Sequence, residues 1–118
     1  MKSSFYFRFP ELIKTDTKLK NCPSTIEQVA NIVELSKVLQ QIRVACGFPV
    51  IVNSAFRTPE VNSLVGGVVN SKHLYGLAAD LSASPLQFEQ LCNVCRAFFD
   101  LKLLSECKIM SNYIHVAL

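Results

Sequence analysis

Leu101–Leu118 reads LKLLSECKIMSNYIHVAL. Two short, largely apolar runs, Leu101–Glu106 and Tyr113–Leu118, flank a more polar connection through Cys107–Asn112. Runs of this length and character read as strands, and their closeness in the chain suggests an antiparallel hairpin. Helices and strands alternate irregularly before it, so the chain is expected to form an α+β domain.

Working back from the hairpin, Ser84-Pro85 opens an expected helix whose Leu86, Leu91, Val94, Cys95 and Phe98 recur near the helical period. Ala78–Ser82 reads as a strand. Thr58 followed by Pro59 has the form of an N-cap and first helical residue, opening a short helix to about Leu64 that Gly66-Gly67 breaks. Phe48–Asn53 is a β-branched run and reads as a buried strand. Before it, Ser24 and Glu27 are spaced as a capping box, and Ile26, Val29, Val33, Leu39, Ile42 and Cys46 follow near the helical period up to Gly47. This long helix is expected to bury that stripe. The N-terminal arm alternates loosely, with Phe5, Phe7 and Phe9 on one side, and turns polar through Lys14–Asn21.

At 118 residues, half of them apolar and 18% charged, the chain suits one globular domain, 1–118. A net charge of +3, with scattered basic residues, argues against a nucleic-acid groove. No stretch approaches the ~18 apolar residues of a membrane helix. MKSSFYFRFPEL lacks the apolar run of a secretory signal, so synthesis in the cytoplasm is expected, with any action outside depending on release or export. The five cysteines read as reduced and mostly buried. Cys92 and Cys95 form a C-x-x-C inside a helix with no second pair and no neighbouring histidine, which favours a packing role over a metal or redox one.

The chemically informative segment is Ser71-Lys72-His73-Leu74-Tyr75-Gly76-Leu77-Ala78-Ala79-Asp80. One of two histidines precedes an aspartate by seven residues, with small Gly76, Ala78 and Ala79 between them. Small residues let backbone approach a metal closely. The second histidine, His115, lies between Ile114 and Val116 in an expected core strand. Two imidazoles and a carboxylate leave one tetrahedral position for water, the pattern of a catalytic zinc site. On spacing alone the plainer readings come first: His115 as a satisfied strand histidine, His73 as a hydrogen-bonded loop residue and Asp80 as a turn cap.

These residues belong to an ordered series: Val52–Arg57, Asn62, Val65-Gly66-Gly67, Asn70–Asp80 and Tyr113–Val116. The series resembles the zinc-dependent D-Ala-D-Ala carboxypeptidase family of murein peptidases, particularly its short phage-type members, from about Thr15 to the end of the chain. The resemblance implies a hedgehog-like peptidase fold, with a small antiparallel sheet packed by a long N-terminal helix and a second helix in the C-terminal half. It implies Zn²⁺ held by His73, Asp80 and His115. It also implies that Arg57 engages the substrate carboxylate or the developing oxyanion, and that Ser71 helps hold substrate, unless its hydroxyl only caps the loop.

Relatives carry a carboxylate general base shortly before the second histidine, where this chain has Lys108, Ile109 and Asn112. Glu106, at the end of the expected Leu101–Glu106 strand, is the nearest acidic residue and the expected base. A longer hairpin connection would absorb the difference. The function implied is a zinc metallopeptidase that cuts the peptidoglycan stem peptide, of carboxypeptidase or endolysin type. The alternatives are a weakly active or inactive zinc-binding module, as in the hedgehog signalling domain, and a metal-free structural domain.

Overall fold

The computed structural model describes residues 7–118, so Phe5 of the N-terminal arm lies outside the described residues. Among them run α1 (Phe9–Leu12), α2 (Ile26–Cys46), β1 (Ile51–Ser54), α3 (Pro59–Leu64), a 3-10 turn (Lys72–Tyr75), β2 (Ala78–Ser82), α4 (Phe88–Asp100), β3 (Glu106–Ile109) and β4 (Ile114–Ala117). The strands form one sheet in the order β1-β2-β4-β3, with every neighbouring pair antiparallel. This is the expected α+β architecture. No helix among the described residues is long and apolar enough to cross a membrane.

The long helix starts one residue later than its expected box. Thr25 caps it: its hydroxyl accepts from Gln28 N, and Gln28 Oε1 accepts from Thr25 N. Gly47 ends it in the left-handed region, at φ 76, with its N–H bonded to Arg43 O. The buried stripe differs from the expected one. Ile32, Leu35, Leu39 and Ile42 are fully buried, whereas Val29 and Val33 are exposed and Ile26 is 89% exposed. The physical reason is continuity. The line through Ile26, Val29 and Val33 runs on into Ser36 and Gln40, while the line from Ile32 stays apolar for three turns.

The other helix of the core also starts later than expected. Ser84 O accepts from Gln87 N in a turn, so the helix opens at Phe88 and Leu86 points to solvent. Leu91, Cys92 and Cys95 are buried, and Val94 and Phe98 pack partly against the core. The C-x-x-C is therefore a pair of core thiols. All five cysteines are unpaired.

The hairpin is shifted too. Leu101–Ser105 is no strand: Lys102 takes φ 64, Leu103 N bonds back to Phe98 O, and only Leu104 is buried. The strand begins at Glu106, and Met110 N to Tyr113 O closes a short loop. Its register sets Glu106 opposite Ala117 and Lys108 opposite His115.

The two faces of the sheet have different neighbours. Val52, Ala79, Leu81, Ile114 and Val116 join the buried stripe of α2 with Leu91 and Cys95 of α4 in one apolar cluster. Alternation sends Asp80 and His115 the other way. On β1 an irregularity between Val52 and Ser54 admits Asn53 as an extra residue, so that Ser54 lies opposite Asp80. Ser54, Asp80, His115 and Lys108 thus form one row across all four strands.

Candidate metal centre

Asp80 stands at the middle of that row, on a strand buried along nearly its whole length. His115 lies directly opposite on β4, and its Nδ1 is 3.0 Å from Asp80 Oδ1. His73 arrives from the 3-10 turn, with Nε2 3.3 Å from the same oxygen. Gly76 makes the return from that turn to β2 possible. It sits at φ 76, and a Cβ there would lie 2.8 Å from Ile32 Cγ1. The three residues present one donor atom each, all within 4.8 Å of one another.

The protonation pattern fits a metal. His73 Nδ1 faces Ala55 O, a carbonyl that only accepts, so Nδ1 carries the proton and Nε2 offers a lone pair toward Asp80. Two nitrogens and one carboxylate oxygen make a donor set suited to zinc, with a fourth position open. Burial pushes Asp80 up, but its close contacts with His115 and His73 outweigh this and hold its carboxyl well below the usual carboxylate range. The hydrogen bond to Asp80, reinforced by one to Glu106, raises His115 above its ordinary value despite burial.

A sequence model of the peptidase M15 family matches residues 5–117. The chain belongs to the peptidase M15 family. It is also 48% identical over 59 residues to the zinc D-Ala-D-Ala carboxypeptidase of Streptomyces albus G. That match covers 49% of this chain and 23% of the relative, so the chain spans well under two-thirds of the relative's length. Membership places the chain among peptidases, and His73, Asp80 and His115 form a group able to hold a metal ion.

The remaining expected residues of the M15 site all line one cleft of about 690 Å³ beside the metal group. Arg57 is tied down within it. Its Nη2 is 3.1 Å from Asp80 Oδ2, Nε donates to Ser54 Oγ at 3.0 Å, and Nη1 donates to Asn62 Oδ1 at 3.3 Å. Two of its five N–H groups are left over. Ser71 caps the 3-10 turn by accepting from His73 N at 3.1 Å, which leaves its own hydroxyl proton available. Glu106 accepts from His115 Nε2 at 2.9 Å, diagonally across the hairpin, and this bond, with Lys72 nearby, lowers its pKa.

Three supporting residues escaped the sequence reading as functional. Asn62 is buried and bridges Arg57 Nη1 and Val68 O, and Gly67 packs so closely that a Cβ there would lie 2.1 Å from Asn62 Oδ1. Their place in the family-like series was the available signal. Asn21 is also buried. It donates to Ile13 O and Phe56 O and accepts from Thr58 N, which fixes the loop that carries Arg57. It follows a polar stretch with no pattern, and nothing in the sequence marks it.

Proposed function

We propose that the chain is a zinc-dependent peptidase that hydrolyses peptide bonds in the stem peptides of bacterial cell wall, of D-Ala-D-Ala carboxypeptidase or endolysin type. The observation that carries this reading is the convergence of His73, Asp80 and His115 beside a cleft that also holds Arg57, Ser71 and Glu106. The printed name of the Streptomyces relative supports the substrate class. Synthesis in the cytoplasm, followed by release or export to the wall, belongs to the same proposal.

Zinc, when bound, supplies Lewis acidity to a water and to the scissile carbonyl. Glu106 takes the proton of the attacking water as the C–O bond forms, and returns it to the amine as the C–N bond breaks. Such acid–base help contributes roughly a hundred- to ten-thousand-fold. Arg57 orients Asp80 and turns its remaining N–H groups to the substrate's carboxylate or the developing oxyanion. The Ser71 hydroxyl donates to the peptide.

A second reading, a zinc-binding module with little turnover, is favoured by one observation. Both Glu106 oxygens have partners, His115 at 2.9 Å and Lys72 at 3.9 Å. Mass analysis of purified murein after incubation separates the two. Fragments from the wild type and none from Glu106→Gln support the peptidase. Intact murein with equimolar bound zinc favours the module, and a protein that binds no zinc sinks both.

A further inference from the structure

Lys72 precedes His73 on the 3-10 turn, yet its side chain does not extend into solvent. Its Nζ donates to Ser105 Oγ at 2.7 Å and to Leu118 O at 3.0 Å, and it lies 3.9 Å from Glu106 Oε2. Ser105 Oγ itself donates to Leu118 O at 2.8 Å. The lysine therefore joins the turn that carries His73 to the residues flanking β3 and β4, where Glu106 and His115 stand.

His73 and His115 reach Asp80 from separate elements. The turn meets the end of β4 through one backbone chain, Leu118 N to Leu77 O and Leu77 N to Lys72 O. Lys72 adds a side-chain link at the same seam. It also draws Glu106 Oε2 to one side, leaving Oε1 against His115 Nε2. In the neutral ring, a carboxylate that accepts from Nε2–H selects the tautomer whose Nδ1 carries the lone pair, and Nδ1 is the nitrogen facing Asp80.

We propose that Lys72 is a positioning residue for the metal group, clamping the His73 turn to the hairpin and orienting Glu106 against His115, which rests on the zinc reading above. About a third of each side chain is exposed, 34% for Lys72 and 32% for Glu106. An ion pair so exposed adds little to global stability. Its effect falls on the geometry of the donors.

The test is zinc affinity, measured by competition with a chromophoric chelator, with the visible bands of bound cobalt as a second signature. Lys72→Met is expected to bind zinc about 10- to 100-fold more weakly, the usual cost of losing a partner behind a ligand. Lys72→Arg, which keeps the charge but spreads the donors over a planar fork, is expected to lose less affinity than Lys72→Met. Glu106→Gln keeps an acceptor for Nε2–H and retains affinity, whereas Glu106→Ala loses it. The Glu106 pair keeps the test decisive if Lys72→Met does not fold. Wild-type zinc affinity and cobalt bands in Lys72→Met, or in Glu106→Ala, overturn the proposal. A wild-type protein that binds no zinc overturns the zinc reading instead.

Discussion

Asp80 and His115 face each other across the β2–β4 ladder, with Asp80 Oδ1 3.0 Å from His115 Nδ1. Backbone pairing alone delivers these two donors together. His73 is then the one ligand whose approach depends on a turn.

The metal-free protein is expected to lose stability in acid through Asp80. Its folded pKa lies below its usual value of 3.8. The associated stability is therefore present above about pH 4 and lost as the pH falls toward the folded value. Asp80→Asn should flatten this limb, as read by denaturant titrations of chelator-treated protein at several pH values.

Removing the metal is expected to abolish peptidase activity and spare the fold. The apolar cluster between the sheet, α2 and α4 contains none of the three ligands. Far-UV circular dichroism should survive chelation, with activity restored by zinc. A collapse of the helical signal on chelation would contradict the separation of core and site.

Gly67→Ala is expected to reduce turnover with little effect on folding. The added carbon would sit 2.1 Å from Asn62 Oδ1 and 3.1 Å from Arg57 Nη1, so the pair must move. Displacing a positioned group by about an ångström costs roughly a hundred-fold in rate. Steady-state kinetics alongside a thermal melt would separate the two effects.

Asn21→Ala is expected to destabilise the fold by about 1–3 kcal/mol, the usual cost of leaving buried partners unsatisfied. The abandoned groups are Ile13 O, Phe56 O and Thr58 N. Urea denaturation would measure the loss.

Thiol labelling should sort the cysteines by position. Cys22 is exposed, whereas Cys92 and Cys95 are buried and burial raises their pKa values. Only the thiolate attacks an alkylating agent. Peptide mapping after brief native labelling should find Cys22 modified and the helical pair modified only after unfolding.

The site was more legible in the sequence than the packing was. Spacing alone left His73 a loop residue, Asp80 a turn cap and His115 a strand histidine, and the ordered series that resembles a known family is what joined the three. The start of α2 was ambiguous because two capping frames overlap, Ser24 with Glu27 and Thr25 with Gln28, and the helix uses the second. Its buried face was misassigned over the first half, where Ile26, Val29 and Val33 lie on a line that turns polar at Ser36 and Gln40, whereas Leu39 and Ile42 are buried as expected. Leu101–Ser105 mimics a strand in composition, but left-handed Lys102 turns it back onto α4. Lys72 was unreadable because its partners lie 33 and 46 residues away.

The ladder between β2 and β4 also gives the chain an order of assembly. Asp80 and His115 are separated by all of α4 and β3, so their meeting is a long-range event. A polypeptide emerging from the ribosome holds two donors and no third until residues 114–117 have been made. The three-donor group is therefore complete only once β4 has been made, and a shorter nascent chain carries two of its three donors.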